Sequence, residues 1–347
     1  MLSTLPFNLG FILMMLFGTL FSISSSHWLG VWAGLEMNLI GFIPLLIYQK
    51  TTSESESAVK YFIIQAMGSS LMMFASLNTY NMSFTWEMFN QQMWMLSFLI
   101  IIMALMLKVG MFPFYFWLPS VMAGLPWMSC LILTTWQKIA PLFLMTSLME
   151  SHLIYQILLI MCFCSVSSSL IGGIGGLNQT QMRALIAYSS IGHLGWVMFA
   201  MLHSSWSMKI YLSIYILISL SLFVNLWYSN LVLIKNSITT YKNMTSMSST
   251  LIMLLSLGGL PPMLGFISKW LVITTATASP LWVILFGLIT GSLMSLFYYL
   301  SLSYSLFLSI SKKTTNNQKM SLLTTLMVLM NCFGGVLMIL INTLIMY

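Results

Sequence analysis

Long apolar stretches alternate with short polar breaks along all 347 residues. The breaks divide the chain into eleven spans, at about 5–24, 26–48, 58–79, 92–122, 127–147, 151–174, 182–203, 207–234, 247–277, 280–310 and 321–345. Roughly 20 apolar residues cross a bilayer as a helix, and a longer stretch is accommodated by tilt. The pattern therefore predicts an all-α integral membrane protein of about eleven transmembrane helices, forming one continuous membrane domain.

Two spans are interrupted. The fourth reads Lys108-Val-Gly-Met-Phe-Pro-Phe-Tyr-Phe-Trp-Leu-Pro-Ser120, and the ninth reads Ser256-Leu-Gly-Gly-Leu-Pro-Pro-Met-Leu-Gly-Phe-Ile-Ser268, followed by Lys269. Both contain Gly-x-x-Pro, from Gly110 to Pro113 and from Gly258 to Pro261, with a serine seven residues beyond that proline. Proline removes a backbone donor and clashes with the preceding turn, so each helix is expected to break there. At membrane depth a break is tolerated only inside protein or beside a wet cavity. Two breaks five spans apart predict an inverted repeat. Repeat one covers about 5–147, repeat two about 151–310, and a C-terminal helix follows at about 321–345. Two unrelated proline kinks are the alternative.

Composition narrows the class. Charged residues make up only 5% of the chain and hydrophobic residues 59%, whereas a soluble domain carries about 25% charged residues. There is no Asp, and Arg183 is the only Arg. The net charge of +7 is scattered singly over short loops, with no basic patch interleaved with aromatics, so nucleic acid is not expected as a partner. Cys130, Cys162, Cys164 and Cys332 lie in apolar runs without a CxxC, so neither a disulfide nor a metal site is expected. Met1 to Phe21 lacks a basic leading region and a clear cleavage site, and reads as a retained first helix.

The loops carry an orientation signal. Those on the side of Met1 hold Lys50, Lys60, Arg183, Lys235, Lys242, Lys312, Lys313 and Lys319, while the opposite loops hold only Lys209, with Glu87 and Glu150. Basic residues favour the matrix or cytoplasmic face, so the N-terminus is expected there.

Four charged residues fall inside the spans: Glu36, Lys108, Lys138 and Lys269. A charge at mid-bilayer costs about 2.5–3.5 kcal/mol on insertion scales, and such residues mark ion or proton paths. An ammonium in low dielectric tends to lose its proton, and a nearby carboxylate opposes the loss. Glu36 and Lys108 thus read as a protonation switch or, alternatively, as a fixed ion pair joining two helices. Lys138 lies about 16 Å into its span at 1.5 Å per residue, beyond easy reach of the headgroups. For Lys138 and Lys269 the alternative is a snorkelling side chain. His193 lies mid-span near Tyr188, Ser189 and Ser190, as a relay group or as a packed neutral imidazole bonded to a hydroxyl. His27, His152 and His203 lie at span ends and read as interfacial. Haem ligation would need paired mid-span histidines, and Gly172-Gly-Ile-Gly-Gly176 reads as close helix packing, not as a phosphate loop.

Five segments in order, Trp32-Ala-Gly-Leu-Glu-Met-Asn38, Lys108 to Pro119, Thr135-Trp-Gln-Lys-Ile-Ala-Pro141, Ala187-Tyr-Ser-Ser-Ile-Gly-His-Leu-Gly-Trp196 and Leu257 to Trp270, resemble the subunit 2 family of mitochondrial NADH–ubiquinone oxidoreductase, respiratory complex I. The resemblance runs end to end. It implies an antiporter-like subunit, related to multi-subunit sodium/proton antiporters. Bacterial relatives have fourteen helices and the animal form eleven, which matches the span count here.

By resemblance, Glu36 is the glutamate of the second span, Lys108 its lysine partner before the first break, and Lys138 the mid-channel lysine. Lys269 is the lysine after the second break, towards the exit, and His193 a histidine on the polar axis. Met111 and Tyr115 depart from the small or His residues common at those places.

The resemblance further implies proton translocation in the mitochondrial inner membrane without redox chemistry in this chain. The complex's NAD, FMN, iron–sulfur clusters and ubiquinone belong to other subunits, and no cofactor is expected here. The expected partners are the other membrane-arm subunits, including neighbouring antiporter-like ones, and membrane lipids. A stand-alone cation/proton antiporter and a purely structural membrane subunit are the rival readings. The lack of any Asp for a sodium site disfavours the first, and the series of four charges the second.

Overall fold

A computed structural model describes residues 8–47, 51–83, 85–88, 95–151, 155–229, 244–261, 263–277, 281–310, 325, 328–334 and 336. Among these residues the chain is helical, and thirteen helices follow one another. Among the described residues seven stretches are long and apolar enough to cross a membrane, and four further apolar helices are shorter. The eleventh span lies largely outside the described residues, as do His152 and the loop lysines Lys50, Lys235, Lys242, Lys312, Lys313 and Lys319.

The chain divides into two compact units, Met1–Ile160 and Met161–Tyr347. The first contains α1 (Asn8–Ser24), α2 (Trp28–Leu46), α3 (Thr52–Ser83), α4 (Met95–Val109), α5 (Trp117–Gly124), α6 (Trp127–Thr134) and α7 (Trp136–Ser151). α8 (Tyr155–Leu177) starts at its end and lies mostly in the second unit, with α9 (Met182–His203), α10 (Ser205–Ser229), α11 (Met244–Gly258), α12 (Leu264–Ala276) and α13 (Trp282–Ile310).

α3 starts earlier than hydropathy predicts. Thr51-Thr-Ser-Glu54 is a polar stretch, yet the Glu54 amide donates to Thr51 Oγ1 at 3.4 Å and the Ser55 amide to the Thr51 carbonyl. A hydroxyl residue followed three positions later by Glu is a helix-start signature, and an acidic group in the first turn suits the helix dipole. The polar residues therefore extend the helix instead of ending it.

Both expected breaks are present. α4 ends just before Gly110 and α11 just before Gly259, each of which has φ of +80°. Met111 N–H donates to the Met106 carbonyl, and Leu260 N–H to the Leu255 carbonyl. A left-handed glycine followed by a six-to-one bond is a Schellman ending in both places. This corrects the sequence register by one residue, because Gly259, not Gly258, stands where Gly110 does. The second half-helix also restarts sooner, at Leu264 after Gly259 against Trp117 after Gly110. The shared serine spacing is therefore not a structural equivalence. The fifth span carries a further interruption, at Thr135 between α6 and α7. The hydroxyls of Thr134 and Thr135 bond back to carbonyls one turn earlier, a habit that bends helices.

Small residues set the closest helix contacts. A Cβ on Gly18 of α1 would fall 2.6 Å from the Asn38 backbone nitrogen of α2. One on Gly172 of α8 would fall 2.5 Å from that of Gly192 on α9. The Gly172–Gly176 stretch is thus a packing surface, as its spacing predicts.

Candidate functional site: buried charges beside broken helices

In the N-terminal unit the charged candidate residues come from three helices. Glu36 sits half-buried on α2, Lys108 in the last turn of α4 and Lys138 in the first turn of α7. Lys108 and Lys138 are only 6% and 3% exposed, and the Lys138 Nζ is itself buried, so the snorkelling alternative does not describe it. The Lys108 stem runs along α3, where a Cβ on Gly68 would meet Lys108 Cγ at 3.0 Å. Among the described residues no ion pair joins Glu36 to Lys108. The fixed-pair reading is therefore not what the geometry holds.

The carbonyls freed at the first break are filled by neutral donors. Trp117 Nε1 donates to the Leu107 carbonyl at 3.1 Å, and Gln65 Nε2 to the Lys108 carbonyl at 3.2 Å. Met111 is fully buried and Tyr115 packs on Phe116, so the departures from the family at these positions make the first break more apolar. The Lys108 side chain lines a small cavity with Asn38, Tyr61, Gln65 and Gln137. Its free space is about 10 Å³, which approaches the room one water needs.

Asn38, Gln137, Tyr61 and Gln65 are functional candidates that charge-based reading passes over. Asn38 and Gln137 bond each other reciprocally, at 2.7 and 3.0 Å. Their signal was present in the sequence, since both lie in the motifs of Glu36 and Lys138. An amide in an apolar span needs a partner for the same reason a charge does.

In the C-terminal unit His193 and Lys269 line one cavity, again of about 10 Å³, with Ser169, Ser189, Ser295 and Tyr299. Lys269 does not snorkel. Its Nζ donates to the Gly258 carbonyl at 2.9 Å, at the end of α11. That carbonyl lies at the negative end of the helix dipole, where a cation is favoured. The His193 Nδ1 and Tyr211 Oη are 2.9 Å apart, and the Tyr215 ring lies 5.2 Å from the imidazole. Tyr211 and Tyr215, one turn apart on α10, are the further residues missed by sequence reading. Ser189 and Ser190 bond back to Ile186 and Ala187 of their own helix. Of the interfacial histidines, exposed His27 precedes α2 in a backbone bridge with Glu87, and His203 ends α9 against Phe199.

Apolar helices with two broken ones, Lys108 buried in the last turn before one break and Lys269 bonded to the helix end at the other, are the architecture of an ion-translocating membrane protein. The chain belongs to the NADH:quinone oxidoreductase/Mrp antiporter transmembrane family, which it matches over residues 25–295. It is 42% identical over 343 residues to NADH-ubiquinone oxidoreductase chain 2 of Anopheles gambiae, covering 95% of this chain and 96% of that one. With chain 2 of Oryctolagus cuniculus the identity is 40% over 323 residues, covering 91% and 90%. The fold is similar to a chain in respiratory complex I from Thermus thermophilus with bound aureothin. The TM-score there is 0.80 and the identity 24%, covering 94% of this chain and 75% of that chain.

Proposed function

We propose that this chain is one antiporter-like, proton-translocating subunit of a respiratory NADH:ubiquinone oxidoreductase, spanning the mitochondrial inner membrane many times with its N-terminus in the matrix. The observation that carries the reading is the burial of lysines at helix breaks in each unit, at Lys108 and at Lys269. A buried ammonium is costly in membrane, and a chain with 17 charged residues in 347 keeps few without use. The basic loops on the side of Met1 support the orientation. The two compact units are the two inverted repeats in this reading.

The chain performs no redox step. Energy from quinone reduction in other subunits shifts the charge states of Glu36, Lys108, Lys138 and Lys269 in turn. Lys108 keeps its proton while the Glu36 charge is near and yields it when that charge is drawn away. Lys138 carries the proton onward, and Lys269, with His193 as relay, serves the exit. The family likeness in sequence supports the assignment to the oxidoreductase, and the other membrane-arm subunits are the partners it implies. NAD, FMN, iron–sulfur clusters and ubiquinone are held elsewhere in the complex.

The test is Glu36→Gln, which removes the charge while keeping the shape. The assembled complex should form at normal yield but pump fewer protons per NADH oxidised. Normal pumping at full turnover would show that Glu36 is not part of the path.

A further inference from the structure

The Asn38–Gln137 pair is left over once the titratable groups have their roles. It joins α2, the helix of Glu36, to α7, the helix of Lys138. Asn38 follows Glu36 by two positions, and Gln137 immediately precedes Lys138. Both amides line the water-sized cavity that holds Lys108, whereas Lys138 does not line it. The amide pair thus forms part of the cavity wall, on the two helices that carry Glu36 and Lys138.

We propose that the Asn38–Gln137 amide pair is an insulating gate between the Lys108 cavity and Lys138. The proposal rests on the proton path described under the proposed function and names the element that controls it. The chemistry of amides supports it. An amide nitrogen donates but does not accept, its oxygen accepts but does not donate, and neither titrates near neutral pH. Two amides that face each other donor to acceptor leave no atom able to take a proton and pass it on. Hydroxyls, imidazoles and water do both, and the C-terminal unit uses such groups at the His193–Tyr211 contact.

The same geometry shows how the gate opens. Glu36 and Asn38 share α2, so a displacement of α2 that follows the charge on Glu36 pulls directly on the clasp. The Tyr61 hydroxyl lies 3.4 Å from Gln137 Oε1, the oxygen that Asn38 occupies. It already donates to that acceptor over this longer distance and remains its donor when Asn38 leaves. The room vacated by Asn38 then adds to a cavity already close to the size of one water. Water in that space connects Lys108 towards Lys138.

The experiment uses the assembled complex in sealed vesicles carrying a pH dye. Asn38→Ser replaces half of the clasp with a small relay-competent hydroxyl. The proton-to-electron ratio should fall, and passive proton conductance without turnover should rise severalfold. Adding Lys138→Met to Asn38→Ser should remove the extra conductance, and exchanging the amides, Asn38→Gln with Gln137→Asn, should restore tightness and ratio. If Asn38→Ser does not assemble, Gln137→Asn alone, shorter by one methylene, carries the same test.

Wild-type tightness and ratio in the single variants overturn the gate. So does a leak that survives Lys138→Met, or an exchanged pair no better than the single variants. Lys138→Met alone separates the two readings. A normal ratio there removes the proton path itself, whereas a lost ratio with a tight Asn38→Ser complex removes only the gate.

Discussion

Gly259→Ala isolates what the second helix break does for Lys269. The position has φ of +80°, which costs an L-residue about 1–2 kcal/mol. Its new Cβ would lie 3.0 Å from the Lys269 Nζ and 3.2 Å from Cδ and Cε, so the lysine tip must give by a few tenths of an ångström, which strains its bond to the Gly258 carbonyl. A hydrogen bond to a charged group contributes about 1.5–3 kcal/mol. The backbone effect alone predicts a destabilisation of about 1–2 kcal/mol, rising to about 5 kcal/mol where the bond is lost altogether. Gly258→Ala is the control next door. Its Cβ would meet Tyr299 and Leu296 at ordinary contact distances, 3.6 Å or more, and it leaves the carbonyl in place, so it should change stability by no more than about 1 kcal/mol. Thermal release of the subunit from the detergent-solubilised complex measures the stability, and the proton-to-electron ratio in vesicles measures the function. Gly259→Ala should lower both, and Gly258→Ala neither. Equal behaviour of the two variants would refute the idea that the left-handed ending seats Lys269.

Two further outcomes follow from the contacts. Tyr211→Phe removes the hydroxyl at 2.9 Å from His193; it should cost about 1 kcal/mol and slow pumping, and unchanged pumping at full turnover would remove His193 from the relay. Gly172→Val places side-chain atoms where even a Cβ would lie 2.5 Å from the Gly192 backbone, so the yield of assembled complex on native gels should drop sharply. A normal yield would mean that α8 and α9 do not need their close approach.

Much of the fold was legible because membrane insertion writes itself into hydropathy. The spans from α1 to α13 follow the apolar stretches, and the breaks at Gly110 and Gly259 follow from glycine and proline chemistry. What escaped was local or distant. The glycine register in the second break could not be read, since Gly258 and Gly259 are adjacent and only one takes the left-handed conformation. The interruption at Thr135 has no glycine or proline at its own position to announce it. The start of α3 is written in capping chemistry, which a hydropathy reading ignores.

For the site, the buried lysines stood out because a charge in a span is conspicuous. The neutral polar groups did not. Asn38 and Gln137 are 99 positions apart in the chain, and nothing in either segment alone says that they meet. The same holds for His193 and Tyr211, whose contact joins α9 to α10. The sequence offered hydroxyls on the histidine's own helix as its partners, but Ser189 and Ser190 are engaged with their own backbone.

The most direct test of the account is the proton-to-electron ratio of the assembled complex carrying Lys138→Met and, separately, Lys138→Arg, in sealed vesicles with a pH dye. Lys138 is 3% exposed; methionine keeps the length and apolar fit without a titratable group, while arginine keeps the charge and does not release its proton. Both variants should assemble, pump fewer protons per electron and slow electron transfer, because the steps are coupled. Normal ratios in both would place the proton path elsewhere.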